Sequence, residues 1–189
     1  MRSALVFVAA CVGVGVCLAA LPALAQSRAA PQPKAEELKP GLSVAYKAGY
    51  VQGINQLTPA SRHAGPPLPH LNYVTDLDEK VLTSDYSEGV AADIKGYIRL
   101  DKPGAWVFQV NSNDGVMITL GGKKIIEDPF VHSDQMSKPA TVQVSEPGWY
   151  ELRILYFQRK GTAALQLHWT PPGGAQEIVP AEAYAYVPD

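Results

Sequence analysis

The chain has 189 residues, with 16 Lys and Arg against 18 Asp and Glu, a formal net charge of −2, and 47% hydrophobic residues. This length suits one ordinary domain, and the near balance of charges without a basic stripe argues against a nucleic-acid partner. The two cysteines, Cys11 and Cys17, both lie near the N-terminus.

The N-terminus has the pattern of a secretory signal peptide. Arg2 supplies a positive charge, residues 5–21 form an apolar run, and residues 21–25 end in a small-x-small sequence. We therefore predict that residues 1–25 are a signal peptide cleaved after Ala25, which makes the product secreted or periplasmic. The alternatives are a transmembrane anchor and a lipoprotein signal ending at Cys11. Cleavage after Ala25 would leave no cysteine and no membrane span in the mature chain, excluding disulfides and cysteine-based zinc sites.

The next segments differ in composition. Residues 26–40 hold three prolines with alanines and charges, and this predicts a flexible linker. Alternating apolar residues at Leu42, Val44 and Tyr46 predict a first strand. Residues 52–72 are rich in proline and predict a long loop, a type of connection that is often functional.

The stretch from Gly104 to Asp128 is the most informative. Apolar and polar residues alternate over 104–110, which predicts a half-buried strand, and residues 111–115 then gather turn formers and oxygen donors. The alternation resumes over 116–120. Gly121-Gly122 follows at the position of a two-residue hairpin turn. This segment predicts a hairpin that presents an Asn-Asp pair on a loop.

Further strands are predicted on either side of this hairpin. Residues 90–100 alternate, and Pro103-Gly104 marks a turn. Pro147-Gly148 repeats that turn, and long alternating strands follow at residues 149–156 and 165–169. Short strands spaced by turns, without a convincing helix of twelve residues, predict an all-β fold, an antiparallel β-sandwich or barrel.

Several of these motifs, in this order, resemble the PA14 domain family. The matching segments are GAWVFQV, SNDGV, ITLGGK and IIED within residues 104–128, then GWYELRILYFQRKGTAALQLHW at 148–169 and EIVPAEAY at 177–184. GLSVAYKAGY, beginning at Gly41, is similar to the family's first strand. The resemblance implies a PA14-like β-sandwich domain spanning residues 41–187.

The resemblance also implies a site at Asn113-Asp114. Adhesin members of the family carry two adjacent aspartates there, joined by a cis peptide, and these hold a Ca²⁺ ion that ligates sugar hydroxyls. Here Asn113 replaces the first aspartate and Gly121 replaces a frequent aspartate, so one fewer carboxylate predicts weaker Ca²⁺ binding. Asn113 and Asp114 are therefore candidate metal and carbohydrate ligands. The alternative is that Asn-Asp-Gly is an ordinary turn.

A second loop carries polar residues toward the same end of the sandwich. Asp128, His132 and Asp134 follow the strand that leaves the Gly121-Gly122 turn, and Phe130 offers a stacking surface. We predict that Asp128 and His132 contribute to carbohydrate binding. The alternative is a solvated loop.

The function predicted from these features is binding without catalysis. The sequence has no Gly-x-Ser-x-Gly, no His-Glu-x-x-His and no phosphate-binding loop, so we predict that it is not an enzyme. The favoured partner is an envelope or extracellular carbohydrate, with Ca²⁺ as the implied cofactor. The alternative is a periplasmic structural or protein-interaction module, with an envelope protein as its partner and neither metal nor sugar as ligand.

Overall fold

The computed structural model describes residues 24–57 and 62–188, so most of the predicted signal peptide and both cysteines lie outside the described residues. Cleavage after Ala25 stays a prediction. Within the described ranges no helix has the length and apolar character to cross a membrane.

The strands are β1 (Leu24–Ala25), β2 (Lys39–Pro40), β3 (Leu42–Ala48), β4 (His63–Leu68), β5 (Asn72–Val74), β6 (Val90–Leu100), β7 (Gly104–Asn113), β8 (Val116–Leu120), β9 (Lys123–Asp128), β10 (Gln135–Met136), β11 (Ala140–Val144), β12 (Gly148–Gln158), β13 (Ala164–Thr170), β14 (Glu177–Ile178) and β15 (Tyr184–Tyr186).

These strands form two sheets. The first sheet has seven strands in the order β1-β11-β7-β13-β14, with β10 beside β7 and β5 beside β13. The second has eight strands in the order β2-β15-β6-β12-β8-β9, with β3 beside β6 and β4 beside β3. All the pairings between these strands are antiparallel except that of β1 with β11, which confirms the predicted all-β antiparallel fold.

The core lies between the sheets because each central strand alternates. On β7 the inward side chains Trp106, Phe108 and Val110 are buried, and the residues between them are partly exposed. On β12 the buried Tyr150, Leu152 and Ile154 alternate with exposed positions in the same way, so one continuous apolar cluster joins the two sheets.

The predicted hairpin is confirmed. Strands β8 and β9 pair directly across Gly121-Gly122, with Leu120 opposite Lys123. Both glycines have positive φ angles, 53° and 77°. A two-residue turn with positive φ at both positions matches the right-handed twist of its strands and strongly favours glycine.

Residues 26–40, with the composition of a flexible linker, make specific contacts in the structure. Ala29 N–H donates to Trp149 O at 3.0 Å. The Gln32 side chain bonds both main-chain groups of Trp149, accepting from its N–H at 2.8 Å and donating to its carbonyl at 2.9 Å. The domain boundaries themselves stay a prediction.

The outer face of the second sheet carries a buried ion-pair cluster. Asp93 of β6 is 4% exposed and accepts two hydrogen bonds from Arg153 of β12, at 2.9 Å and 3.1 Å. Arg62 also donates to it, and Lys95 Nζ lies 3.7 Å away. Hydrogen bonding to Asp93 raises the pKa of Arg153. The cluster fixes Arg62, immediately before β4, against the sheet.

We expect Asp93→Asn to lower the free energy of unfolding by roughly 2 kcal/mol, because a neutral amide cannot accept from two guanidinium groups, while the partial exposure of Arg153 moderates the loss. Urea denaturation measures it. Glu151→Gln, at an exposed position on the same face, should change stability by less than about 0.5 kcal/mol. Equal effects of the two substitutions on the free energy of unfolding would contradict the stabilising role of the Asp93 ion-pair cluster.

His168 of β13 generates a prediction about pH. Burial lowers its pKa below the usual 6.5, so as pH falls through 6.5 the unfolded chain takes up a proton before the folded one. Stability should therefore decrease from pH 6.5 down to the folded-state pKa. We expect His168→Gln to lack this component, measured as the difference between the two urea midpoints over about pH 5 to 7.5. A constant difference across that range would contradict it.

Candidate functional site

Asn113 and Asp114 lie at the end of β7, where the chain turns into β8. Their side chains are almost fully buried, at 8% and 3% exposure. The peptide bond between them is cis. The next residue is Gly115, where a side chain would not fit. A Cβ atom there would lie 2.5 Å from a ring carbon of Phe157 and 3.0 Å from Phe130 O.

The Asp114 carboxylate joins two loops. One oxygen accepts the N–H of His132 at 3.1 Å, and the other accepts the N–H of Arg159 at 2.7 Å. The Asp114 main-chain N–H donates to Phe157 O at 3.1 Å. Hydrogen bonds from main-chain N–H groups to a carboxylate are stronger than those between neutral groups. Asp114 therefore fixes the loop after β9 and the loop after β12 relative to each other.

Asn113 belongs to the same polar cluster. Its Nδ2 donates to Asp134 Oδ1 at 2.8 Å and lies 3.4 Å from Thr162 Oγ1. Its carbonyl oxygen accepts the hydroxyl of Tyr156. Burial raises the pKa of Tyr156 far above its usual value, and the nearby Asp114 raises it further, so this phenol remains a donor at physiological pH.

Asp128 and His132 meet at the edge of this cluster. His132 Nε2 lies 3.4 Å from Asp128 Oδ2, which also accepts from Gln135 Nε2 at 2.7 Å. Phe130, between them in sequence, is 67% exposed. The structure thus brings Asn113, Asp114, Asp128 and His132 together with Phe130. We refer to these five residues as the loop site.

A neighbouring loop reaches the same end of the sandwich, and the sequence did not single it out. Tyr50 is exposed, donates its hydroxyl to Glu88 at 2.5 Å, and lies under Lys160 Nζ, 5.7 Å from the ring centroid. Gly89 links this loop to the site: its carbonyl accepts the N–H of Gly49 at 2.7 Å, and its own N–H donates to Arg159 O at 3.0 Å. Only the tertiary contacts reveal this proximity, since Tyr50 follows an ordinary strand.

Asn113 and Asp114 do not by themselves make a complete calcium site in this arrangement. Calcium takes six to eight oxygen ligands. Here Asn113 turns its Nδ2 toward Asp134, and both Asp114 oxygens already accept main-chain N–H groups. Among the residues that the structure describes, no group of three or more His, Cys, Asp and Glu is placed to hold a metal ion.

Comparison with known proteins identifies the fold. The family model of the PA14 domain matches residues 72–183. A comparison with curated proteins finds no match.

Solved structures with this fold are similar over most of the chain. The PA14 domain of the antifreeze protein MpAFP superposes with a TM-score of 0.66 at 16% identity, covering 85% of this chain and 96% of that one. The PA14 sugar-binding domain from an RTX adhesin gives 0.60 at 17% identity, covering 78% and 98%. The A domain of epithelial adhesin 9 from Candida glabrata, in complex with Galβ1-3GlcNAc, gives 0.62 at 12% identity, covering 84% and 94%.

The family model covers more than half of the sequence, and the two-sheet architecture agrees with these structures. The chain therefore belongs to the PA14 domain family.

Proposed function

We propose that this protein is an exported, non-catalytic module that binds carbohydrate at the loop site. The observation that carries the proposal is the convergence of fixed polar groups beside an exposed aromatic ring, at the loop end of a PA14 domain. Binding sites for small ligands commonly combine apolar side chains with a few placed polar groups.

The chemistry of the loop site suits sugar hydroxyls. A hydroxyl both donates and accepts a hydrogen bond, and the site offers the Asp128 carboxylate beside the His132 imidazole, with Asp134 held next to it by Asn113. His132 Nε2 is buried and has no hydrogen-bond partner among the residues that the structure describes. Phe130, being mostly exposed, offers an apolar surface to the C–H side of a sugar ring.

Related domains support the same class of ligand. The domain from the RTX adhesin is a sugar-binding domain, and the adhesin from Candida glabrata is bound to a disaccharide. Their identities to this chain are below 20%, so the ligand of this protein is proposed from its own residues. Export is supported by the charged, then apolar, then small-residue pattern of positions 1–25.

We expect Phe130→Ala to lower the affinity for a bound glycan about tenfold, since loss of a contacting aromatic ring costs on the order of 1 kcal/mol or more. The thermal midpoint should stay unchanged because the ring is exposed. A printed glycan array identifies the ligand, and isothermal titration then measures the affinity.

Val187→Ala is the matched control, because Val187 is also exposed but lies beyond β15 on the second sheet. It should bind as tightly as the wild type. Absence of any glycan ligand would contradict the proposed function. Unchanged binding in Phe130→Ala would move the binding site away from this loop.

Calcium binding at Asn113 and Asp114, which the family resemblance implies, is tested by a variant that places a carboxylate at position 113. We expect Asn113→Asp to be destabilised without calcium, because it places a carboxylate against Asp134, and to recover when calcium is added. A ligand at a hundred times its dissociation constant stabilises the folded state by about 2.7 kcal/mol. Thermal unfolding in EDTA and then in excess CaCl₂ measures both effects.

The wild-type protein is the control for this experiment. From the hydrogen bond between Asn113 and Asp134 we expect no calcium-dependent shift in its thermal midpoint. A shift in the wild type that Asp114→Ala abolishes would confirm the calcium prediction and overturn our argument from the donors.

A further inference from the structure

The outward face of the first sheet is built from cross-strand rows of uncharged polar side chains. Because antiparallel partners point to the same side, Asn72, Gln166 and Asn111 form one row across β5, β13 and β7, which Met136 continues on β10. The next row pairs His168 with Gln109. We refer to Asn72, Gln109, Asn111 and Gln166 as the amide face.

The strands that carry the amide face, and those beside them in β10 and β11, have no charged side chain. Burial lowers the pKa of His168, so its imidazole is neutral near pH 7. The outer face of the second sheet differs sharply, since Asp93, Lys95 and Arg153 lie on it.

The amides are held in place by one another. Gln166 Nε2 donates to Asn72 Oδ1 at 2.7 Å, and Asn111 Nδ2 donates to Gln166 Oε1 at 3.0 Å. Gln109 is held separately: its Oε1 accepts from Gln176 at 2.8 Å, and its Nε2 donates to Ser137 O at 2.9 Å. Each amide has more donor and acceptor capacity than these bonds use. The face therefore presents preorganised hydrogen-bonding groups, which lowers the entropic cost of binding a ligand.

The amide face runs directly into the loop site. Side chains alternate along a strand, so Gln109, Asn111 and Asn113 of β7 point to the same side of the sheet, where Asn113 is buried beneath its contact with Asp134. At about 3.4 Å per residue, Gln109 and Asn113 are roughly 14 Å apart along the strand. A ligand held at the loop site can therefore extend over the amides without leaving one surface of the sheet.

We propose that the amide face extends the loop site into an elongated surface for a neutral oligosaccharide chain. An uncharged polymer of hydroxyl and amide groups matches this face, because amides can donate to and accept from it and no charge has to be desolvated. Nucleic acid and anionic polymers find no cation on these strands. The core of a protein interface is typically enriched in aromatic side chains, which the amide face lacks. This inference rests on the proposed function and names the type of chain bound.

Chain length provides the test. Isothermal titration of the protein with neutral β-1,4-linked N-acetylglucosamine oligomers of two and six units should show about tenfold tighter binding of the longer oligomer. The double variant Asn111→Ala/Gln166→Ala should remove this difference, since two lost hydrogen bonds account for about that factor. Its affinity for the two-unit oligomer should not change, whereas Phe130→Ala should weaken both.

A second variant keeps the inference testable if the double variant misfolds. Asn72→Lys adds a charge at an exposed position of the edge strand β5, and it should also remove the dependence on length. Glu151→Lys, at an exposed position of the opposite sheet, is the matched control and should retain it.

Several outcomes would overturn the inference. Equal affinity for the two oligomers, or a length dependence that persists in both variants, would show that the amide face does not bind the chain. The proposal for the loop site would be unaffected. No binding of either oligomer also overturns it, whereas a ligand found on the glycan array would keep the proposed function. Sedimentation velocity supplies a further outcome: self-association of the wild type that Asn72→Lys abolishes would assign this face to contact between copies of the chain.

Discussion

The loop end of this domain depends on the Asp114 carboxylate. Its two oxygens accept N–H groups from His132 and Arg159, which lie on loops far apart in sequence. A buried carboxylate in this position is stabilised only while both donors stay in place, and each donor would be costly to bury without its acceptor. The loops that carry Phe130 and Thr162 are therefore ordered by one side chain that is itself hidden from solvent.

Asn113, the residue before Asp114, stabilises the loop site in a different way. An aspartate there would place a second carboxylate against that of Asp134, and such a pair requires a cation or a proton to be stable. The asparagine amide instead donates to Asp134 at 2.8 Å. Asn113 and Asp134 therefore pair without a cation. In this respect the loop site departs from the two adjacent aspartates that the family resemblance implies.

Alternation made the central strands predictable, and long-range contacts account for what was not predicted. The pattern of Trp106 and Phe108 predicts β7, and Gly121-Gly122 predicts the turn between β8 and β9. The proline-rich stretch instead contains β4, which among the described strands pairs with β3 alone and so forms an edge, where prolines are tolerated. Composition likewise cannot show that Gln32 bonds Trp149, or that Asn113 turns its amide toward Asp134.

The unequal distribution of charge between the two sheets has a physical consequence. A face that bears Asp93, Arg153 and Lys95 stays hydrated and resists close association with a neutral surface. The amide face has no such charges, and its side chains satisfy part of their hydrogen-bonding capacity internally. A neutral, hydroxyl-rich chain can replace the remaining water with bonds of the same kind. The same β7 strand then supplies both the rigid end of the loop site and the surface beyond it.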